Sequence, residues 1–309
     1  MKKFLTLLLA LAMTLSLAAC GSSEETTEES TNDDAEETVD YAAMSDDELK
    51  AAITTVTAGT LTVATSPDFA PYEFYAIGDD GQATLAGFEM SLAQYIADYL
   101  GLKLEVVPMD FDGTLMELQN KSVDLGMAGY SPKPERANIM DFSEVFYTGG
   151  QSFVTTQDKA DLFTSLEDTN KAEYSFGAQT GSIQVDLAQE NSPDAELIQL
   201  PKVTDVITDL LAGNLDGAYI ETVVAQTYAK NYPELNVLLD VPYDQEGSVV
   251  GVSKGNAALL EGVNRAIAAV LEDGTMDEFV TEANELASGN TYEGLLDENG
   301  QAVETPAEG

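Results

Sequence analysis

Arg136 is one of only two arginines in the 309-residue chain, and its neighbours favour a role in binding a ligand. The apolar run 125–130, LGMAGY, is typical of a buried parallel strand, and Ser131 and then Arg136 follow it. Polar side chains therefore collect at the carboxyl end of a predicted strand, where open α/β sheets bind their ligands. An alternative is that Arg136 is a solvated surface residue paired with Glu135 or Asp141.

The second arginine, Arg265, has a different context. It stands four residues after Glu261 in an amphipathic helical pattern, a spacing that predicts an ion pair on the helix surface. Arg136 is therefore the better candidate for binding an anion.

A second candidate anion site follows the predicted strand 174–179. Thr180, Gly181 and Ser182 lead directly into an amphipathic helix. A strand, a small polar turn and a helix present unpaired backbone N–H groups and the positive end of the helix dipole at the loop. Small residues also begin most helices, so this pattern alone does not distinguish a binding loop from an ordinary helix cap.

Glu221 follows the predicted strand 216–220, DGAYI, which begins with an aspartate as the strand after Asp124 does. Each half of the chain thus has a helix, a short strand led by Asp, and polar residues at the strand end. A helix that feeds a strand predicts βαβ units and an α/β fold. Glu221 either binds a cation or simply favours the N-terminus of the next helix.

The composition excludes several classes of function. The chain has 55 acidic and 13 basic residues, a formal charge of -42 and no histidine. Such an anionic surface repels phosphate backbones, so no nucleic-acid partner is expected. Without histidine, imidazole-dependent hydrolases and histidine-ligated metal sites are excluded. The single cysteine excludes an internal disulfide.

The N-terminus is typical of an exported protein. Lys2 and Lys3 precede an apolar run at 4–17, and small residues lead to Cys20. The run is short for a membrane span, which needs about 20 residues. It is identified as a signal peptide, and its end resembles a lipobox, which implies that Cys20 carries a lipid and anchors the mature protein to the outer face of the cell membrane.

Several motifs resemble, in the right order, those of the bacterial amino-acid-binding proteins of ABC importers. They are SPDFAPYEF (66–74), the stretch from Phe111 to MDFS (140–143), GAQTGS (177–182) with Gln184, and GSVVGVSKG (247–255). The resemblance covers about residues 59–287. It implies the type II periplasmic-binding fold: two α/β lobes, each a mostly parallel sheet flanked by helices, around a cleft.

The resemblance also implies a domain organisation. We expect a signal peptide (1–19), an acidic tether with a short helix (20–58), a first lobe (59–153 and 246–288), a second lobe (154–245) and an acidic tail (289–309). The tether is too polar to bury a core.

The implied function is capture of a free amino acid for an ABC permease and its ATPase, by a monomer without a cofactor. Each matched position has an implied role. The carboxylate is held by Gly129, Ser131, Arg136, Thr180, Gly181 and Ser182, the ammonium by Glu221, and the side chain lies between Phe69 and Phe111. Selectivity is expected from Ser66, Asp68, Tyr130, Gln179 and Ile220.

Two other functions stay open, because some proteins of this fold are secreted dehydratases of prephenate-like substrates and others are sensing modules. A carboxylate in the cleft would serve the former as a general acid. Asp110, Asp112 and the sequence Asp79-Asp80-Gly81 lack the full calcium-loop spacing, so no metal site is expected.

Overall fold

The computed structural model describes residues 39–78, 81–244 and 247–288. The predicted signal peptide, lipid-modified Cys20, most of the acidic tether and the acidic tail lie outside these residues.

The first lobe is built on a five-stranded sheet with the order β5-β1-β6-β13-β7. Its strands are β1 (Thr60–Thr65), β5 (Lys103–Pro108), β6 (Leu125–Gly126), β7 (Met140–Tyr147) and β13 (Ser248–Ser253). β5, β1 and β6 are parallel, and β13 runs antiparallel to both β6 and β7. The first lobe also carries a small antiparallel sheet of β2 (Asp68–Phe69), β3 (Glu73–Ile77) and β4 (Ala83–Ala86).

The second lobe repeats this architecture with the order β10-β9-β11-β8-β12. Its strands are β8 (Gln151–Thr156), β9 (Ser175–Gln179), β10 (Glu196–Leu200), β11 (Gly217–Glu221) and β12 (Leu235–Asp240). β10, β9 and β11 are parallel, and β8 is antiparallel to β11 and β12. The predicted α/β fold with two mostly parallel sheets is confirmed.

Helices flank both sheets. They are α1 (Asp46–Ala52), α2 (Phe88–Leu100), α3 (Phe111–Asn120), α4 (Ile183–Asn191), α5 (Val203–Leu211), α6 (Thr222–Asn231), α7 (Ala257–Glu272) and α8 (Thr275–Ala287). Short 3₁₀ turns occupy Tyr41–Ala43, Pro134–Asn138, Ala160–Leu162 and Leu166–Thr169.

Local signals explain where several helices begin and end. Ser45 and Glu48 form a capping box at the start of α1, and α2 ends at Gly101 in the left-handed conformation. The sequence from Ser45 predicts a helix to about residue 57, but α1 ends at Ala52. Asp112 and Gly113 are typical of a turn, but they lie inside α3. The Asp112 side chain accepts the Gly113 N–H within the first helical turn, so the two residues are compatible with helix there.

The chain passes between the sheets twice, once between strands β7 and β8 and once between β12 and β13. The expected lobe boundary after residue 153 falls inside β8, which pairs in the second sheet along its length. Both passages connect strands at the same end of the two sheets, so the second lobe is one continuous insertion into the first.

In the part of the chain that the structure describes, no helix is both long and apolar enough to cross a bilayer. Among the same residues, no cluster of His, Cys, Asp and Glu side chains has the arrangement of a metal site.

Candidate functional site

A narrow cleft lies between the two lobes, where the carboxyl ends of their parallel strands meet. From the first lobe it is lined by Phe69, Tyr72, Phe111, Ala128, Gly129, Ser131, Arg136 and Ser248. From the second lobe and the passages between the sheets it is lined by Gly149, Gln151, Gln179, Ser182, Ile183, Gln184, Glu221, Tyr243 and Gly247. The parallel strands thus bring together residues from distant parts of the chain.

Arg136 is buried in the wall of this cleft rather than exposed as a surface residue, with only 6% of its surface accessible. Nη1 donates to the Ser131 carbonyl at 3.0 Å, and Nη2 reaches across the cleft to the Gly181 carbonyl at 3.1 Å. The guanidinium also lies over the rings of Phe111 and Tyr130, at 5.4 and 5.6 Å from the centroids. These contacts use two of the five N–H donors and fix the orientation of the group.

Burial lowers the pKa of Arg136, but a guanidinium remains charged in proteins. Asp141, the surface partner considered for Arg136, pairs with Lys254 instead. Arg265, in contrast, forms the predicted helix-surface pair with Glu261 at 2.8 Å.

Glu221 faces the cleft from the second lobe and is 5% exposed. Its Oε2 accepts the Val224 N–H at 2.9 Å and so caps α6, as the helix-terminus interpretation predicts. Its Oε1 is buried and forms no hydrogen bond of normal geometry among the described residues, although the Tyr72 hydroxyl lies near the carboxyl group. Burial raises the pKa of Glu221 to about 7, partly opposed by the N–H groups of Val224, Val223 and Gly150 and by the Tyr72 hydroxyl. An unpaired buried oxygen is costly, which is explained if a ligand supplies the missing donor.

Gly129 lines the cleft in a left-handed conformation with φ of +62°. The Phe69 ring packs against its backbone, and a Cβ at this position would lie 2.7 Å from the ring. Its N–H donates away from the cleft, to the buried carboxyl of Glu89 at 3.1 Å. The Gly129 N–H is thus occupied by Glu89 in this structure, whereas the resemblance implies a contact of Gly129 with the ligand carboxylate.

Phe69 and Phe111 lie on the cleft wall, and both are more than nine-tenths buried. Phe69 contacts Tyr72 at a centroid distance of 5.1 Å, while Phe111 meets Tyr130 edge to face at 5.7 Å. Both rings are held by aromatic neighbours, which gives the cleft a rigid apolar wall.

The loop before α4 contributes less than expected. Thr180 and Gly181 do not line the cleft: the Thr180 N–H donates to the Leu200 carbonyl, and Gly181 presents its carbonyl to Arg136. Ser182 does line it, but its hydroxyl donates to the Gln179 carbonyl at 2.7 Å. The first turn of α4, at Ile183 and Gln184, takes the remaining place on this wall, and helix N-termini leave their first N–H groups without intrahelical partners.

Two of the predicted selectivity residues point into cores. Tyr130 is fully buried against Phe111 and Met140, and its hydroxyl donates to Thr114. Ile220 is 2% exposed and belongs to the main apolar core. Ile220 and Glu221 are successive residues of β11, where side chains alternate in direction, so Ile220 faces away from the cleft.

Ser66 and Asp68 also lie outside the main cleft. Ser66 donates to Asp68, whose carboxylate accepts from the Gln179 side chain at 3.1 Å and from the Val203 N–H at the start of α5. Asp68 thus connects the first lobe to the second. Burial raises its pKa to about 6, opposed by the donors from Ser66 and Val203. Of the five predicted selectivity residues, only Gln179 lines the cleft.

Sequence reasoning gave no role to Tyr72, Gln151 and Tyr243, and it named Gln184 only as part of a motif. The Gln184 side chain donates to Gln151 at 2.7 Å, and the Tyr243 hydroxyl donates to the Gly149 carbonyl at 3.0 Å, joining the two passages between sheets. The predicted lobe boundaries could have indicated the residues near them, because segments that connect two lobes border the cleft between them.

Two similar α/β lobes enclose a cleft that has a buried arginine on one side and a buried glutamate on the other, which is the architecture of a protein that binds a small molecule between its lobes. The chain belongs to the bacterial extracellular solute-binding proteins, family 3: the sequence profile of that family matches residues 61–282.

Similar proteins have been characterised. The arginine-binding extracellular protein ArtP of Bacillus subtilis is 30% identical over 282 residues, covering 90% of this chain and 96% of that protein. The crystal structure of the substrate-binding protein AbpA of Streptococcus pneumoniae, bound to L-arginine, is similar with a TM-score of 0.72 and 32% identity, over 75% of this chain and 97% of that one. Cyclohexadienyl dehydratase of Pseudomonas aeruginosa is 26% identical over 177 residues, 57% of this chain and 65% of the enzyme.

Proposed function

We propose that this protein captures a free L-amino acid in the interlobe cleft and delivers it to an ABC permease and its ATPase. One observation carries the proposal: the buried Arg136 guanidinium and the unpaired, buried Oε1 of Glu221 line the same cavity. A carboxylate and an ammonium group on one small molecule would satisfy both.

Binding at this site is sufficient without any reaction. An amino acid of about ten non-hydrogen atoms bound at micromolar strength requires about 8 kcal/mol, or about 0.8 kcal/mol per atom, which is within reach of very small ligands. Charge-assisted hydrogen bonds contribute roughly 1.5–3 kcal/mol each, so Arg136, Glu221 and the aromatic wall together supply the required energy.

L-Arginine is the ligand that we propose first. Two relatives, ArtP and AbpA, are described as binding it. The aromatic rings of Phe69 and Tyr72 line the cleft, and such faces attract a guanidinium group. The net charge of -42 also favours a cationic ligand over an acidic one.

A thermal-shift panel of all standard amino acids tests the proposal. A ligand present at 100 times its dissociation constant adds about 2.7 kcal/mol of stability, which raises the melting temperature measurably. We expect L-arginine to give the largest shift and acidic amino acids none. A panel in which no amino acid shifts the melting temperature, confirmed by calorimetric titration, would contradict amino-acid binding.

The cellular arrangement that we propose is an extracytoplasmic monomer, held by a lipid on Cys20 near its permease. The support is the signal-like segment ending at Cys20 and the family of extracellular solute-binding proteins. Metabolic labelling with a fatty acid tests the anchor: wild type is expected to be labelled, and Cys20→Ala unlabelled and released into the medium.

A dehydratase activity is the second candidate, favoured by the similarity to cyclohexadienyl dehydratase and by Glu221. A carboxyl in the cleft with a pKa near 7 is suited to act as a general acid. Incubation of prephenate with the protein distinguishes the two functions. We expect no product above the uncatalysed rate, whereas turnover that Glu221→Gln abolishes would establish an enzyme.

A further inference from the structure

Glu73 and Glu89 are two fully buried acids of the first lobe that amino-acid binding does not directly use. Their placement follows from how α2 docks. The N–H groups of Phe88 and Glu89 donate to the carbonyls of Pro71 and Tyr72, both at 3.0 Å. This fixes the first turn of α2 against the segment that begins β3, and places the Glu89 carboxyl beside that of Glu73.

The Glu89 carboxyl lies beside that of Glu73 in the core. Two ionised carboxylates side by side in a buried site repel each other, so the pair is favoured when one member carries a proton. Burial raises the pKa of Glu89, partly opposed by hydrogen bonds with Glu73 and with the Gly129 N–H. A proton on one of the two carboxyl groups therefore lowers the free-energy cost of burying the pair.

The other oxygen of Glu89 acts on the cleft. Oε1 accepts the Gly129 N–H at 3.1 Å, from the side of the core. In a trans peptide the N–H and the preceding carbonyl point in opposite directions, so the Ala128 carbonyl is directed away from Glu89. Ala128 and Gly129 both line the cleft. The hydrogen bond to Glu89 thus directs a backbone acceptor towards the ligand.

We propose that Glu89 is a positioning residue for the ligand's ammonium group: it holds the Ala128–Gly129 peptide so that the Ala128 carbonyl is a second acceptor that acts with Glu221. The proton shared with Glu73 lets Glu89 do this from a buried position. This inference rests on the proposed binding of an amino acid.

The surroundings of Glu89 determine its pH response. Glu73 on β3 and the phenol groups of Tyr72 and Tyr130 lie near it, and burial is the main cause of the raised pKa of Glu89. Because its pKa is raised in the folded protein, the stabilisation is complete below the unfolded value of 4.5 and is lost as the pH rises through the folded value. Ionisation of both Glu73 and Glu89 makes the two carboxylates repel each other, so the position of Glu89 and of the Ala128–Gly129 peptide is less well fixed at alkaline pH.

The test compares Glu89→Leu, Glu89→Gln and the surface control Gln94→Leu, on the exposed face of the same helix. Affinities are measured by calorimetry for L-arginine and, by competition, for 5-guanidinopentanoic acid, which is arginine without its α-amino group. We expect Glu89→Leu to weaken L-arginine binding about tenfold and to change binding of the analogue less than twofold. Glu89→Gln keeps an acceptor for Gly129 and a donor for Glu73, so it should bind L-arginine within about threefold of wild type, without the alkaline loss of affinity.

Equal weakening of both ligands by Glu89→Leu would overturn the inference, because a purely structural role affects both alike. Unchanged L-arginine binding would overturn it as well. Should Glu89→Leu not fold, Glu89→Met keeps the length of the side chain and carries the same comparison. Failure of wild type to bind L-arginine refutes the proposed ligand instead, and is therefore distinguishable from failure of the role of Glu89.

Discussion

The two lobes have the same strand order but present opposite charges to the cleft in the segments that follow their third parallel strands. In each, an aspartate just before the third parallel strand accepts an N–H at the start of the first. Asp124 accepts from Thr62 at 2.9 Å, and Asp216 accepts from Ser175 at 3.0 Å. The carboxyl ends of these third strands then diverge: β6 leads to Arg136, and β11 ends at Glu221. The shared fold determines where polar groups meet, while a few residues at the strand ends determine the charge that each lobe offers.

The lobes also hold their charges differently. Arg136 is oriented by two carbonyls and two aromatic rings, one of the carbonyls belonging to the opposite lobe. Glu221 is held by the N-terminus of α6 in its own lobe, which leaves one oxygen unpaired. The cation is thus part of the contact between lobes, and the anion is preorganised within one lobe. The substitutions below separate these two roles.

Arg136→Ala should have the largest effect, because it removes the only arginine of the cleft. We expect the dissociation constant for L-arginine to rise about a hundredfold, or about 2.7 kcal/mol, since a charge-assisted fork to the carboxylate is lost. Calorimetric titration measures the change. Arg265→Ala is the matched control and should bind within twofold of wild type; unchanged binding in Arg136→Ala would show that the carboxylate anchor is elsewhere.

Glu221→Gln should follow, with about a tenfold loss of affinity, or about 1.4 kcal/mol. The amide keeps the shape of the side chain but does not pair with an ammonium group. Glu261→Gln, on the surface of α7, is the control. A loss as large as that of Arg136→Ala would contradict the assignment of the stronger anchor to the first lobe.

The same residue predicts opposite pH trends for binding and for stability. Its pKa of about 7 in the empty cleft means that affinity for a cationic ammonium group falls as the pH drops below 7. The ligand-free protein behaves conversely. A raised carboxyl pKa contributes stability that is complete below the unfolded value of 4.5 and is lost as the pH rises through about 7.

Titrations and melting curves of wild type and Glu221→Gln between pH 5 and 8 measure both trends. The stability of wild type relative to the variant should decrease as the pH rises, while its relative affinity should increase. If affinity and stability depend on pH in the same way in wild type and in Glu221→Gln, a group other than Glu221 is responsible for the pH dependence.

Asp68→Asn tests whether contact between lobes, rather than contact with ligand, contributes to affinity. The variant loses the charge that accepts from Ser66, Gln179 and Val203. We expect about a threefold weaker affinity for every bound amino acid, and a more open ligand-free form in small-angle scattering. If Asp68→Asn instead changes the order in which amino acids rank by affinity, Asp68 contributes to ligand selectivity.

Lys133→Ala should have the smallest effect. Lys133 pairs with Asp186 across the mouth of the cleft, but the Asp186 side chain is 56% exposed. Exposed ion pairs contribute little, so affinity should stay within about twofold of wild type. A larger loss would mean that surface charge pairs, and not buried groups, hold the lobes together.

Most elements of this fold have local sequence signals, and the site does not. The Ser45 capping box predicts the start of α1 from neighbouring residues alone. The apolar periodicity of α2 and the glycine at its end, Gly101, predict that helix in the same way. Phe69, Arg136 and Glu221 were predicted to line the cleft from the resemblance of several motifs, in the same order along the chain, to those of a known family. The structure places these three residues in one cleft.

The remaining lining depends on tertiary structure. Tyr130 and Ile220 would line the cleft if their side chains pointed towards it, but they point into the core instead. The sequence does not show this direction, because a sheet covered on both faces has apolar residues on either side. Asp68 and Gln179 find each other only once the lobes meet, 111 residues apart in the chain. No local pattern carries that information.

The position of β13 has a consequence for biosynthesis. This strand lies between β6 and β7, although it is made about a hundred residues after β7, so the sheet of the first lobe stays divided until the ribosome has passed Ser253. The strands of the second sheet, from Gln151 to Asp240, are complete before then. The order of translation therefore favours the inserted lobe as the first to fold, and the ligand cleft forms only after the last strand has been made.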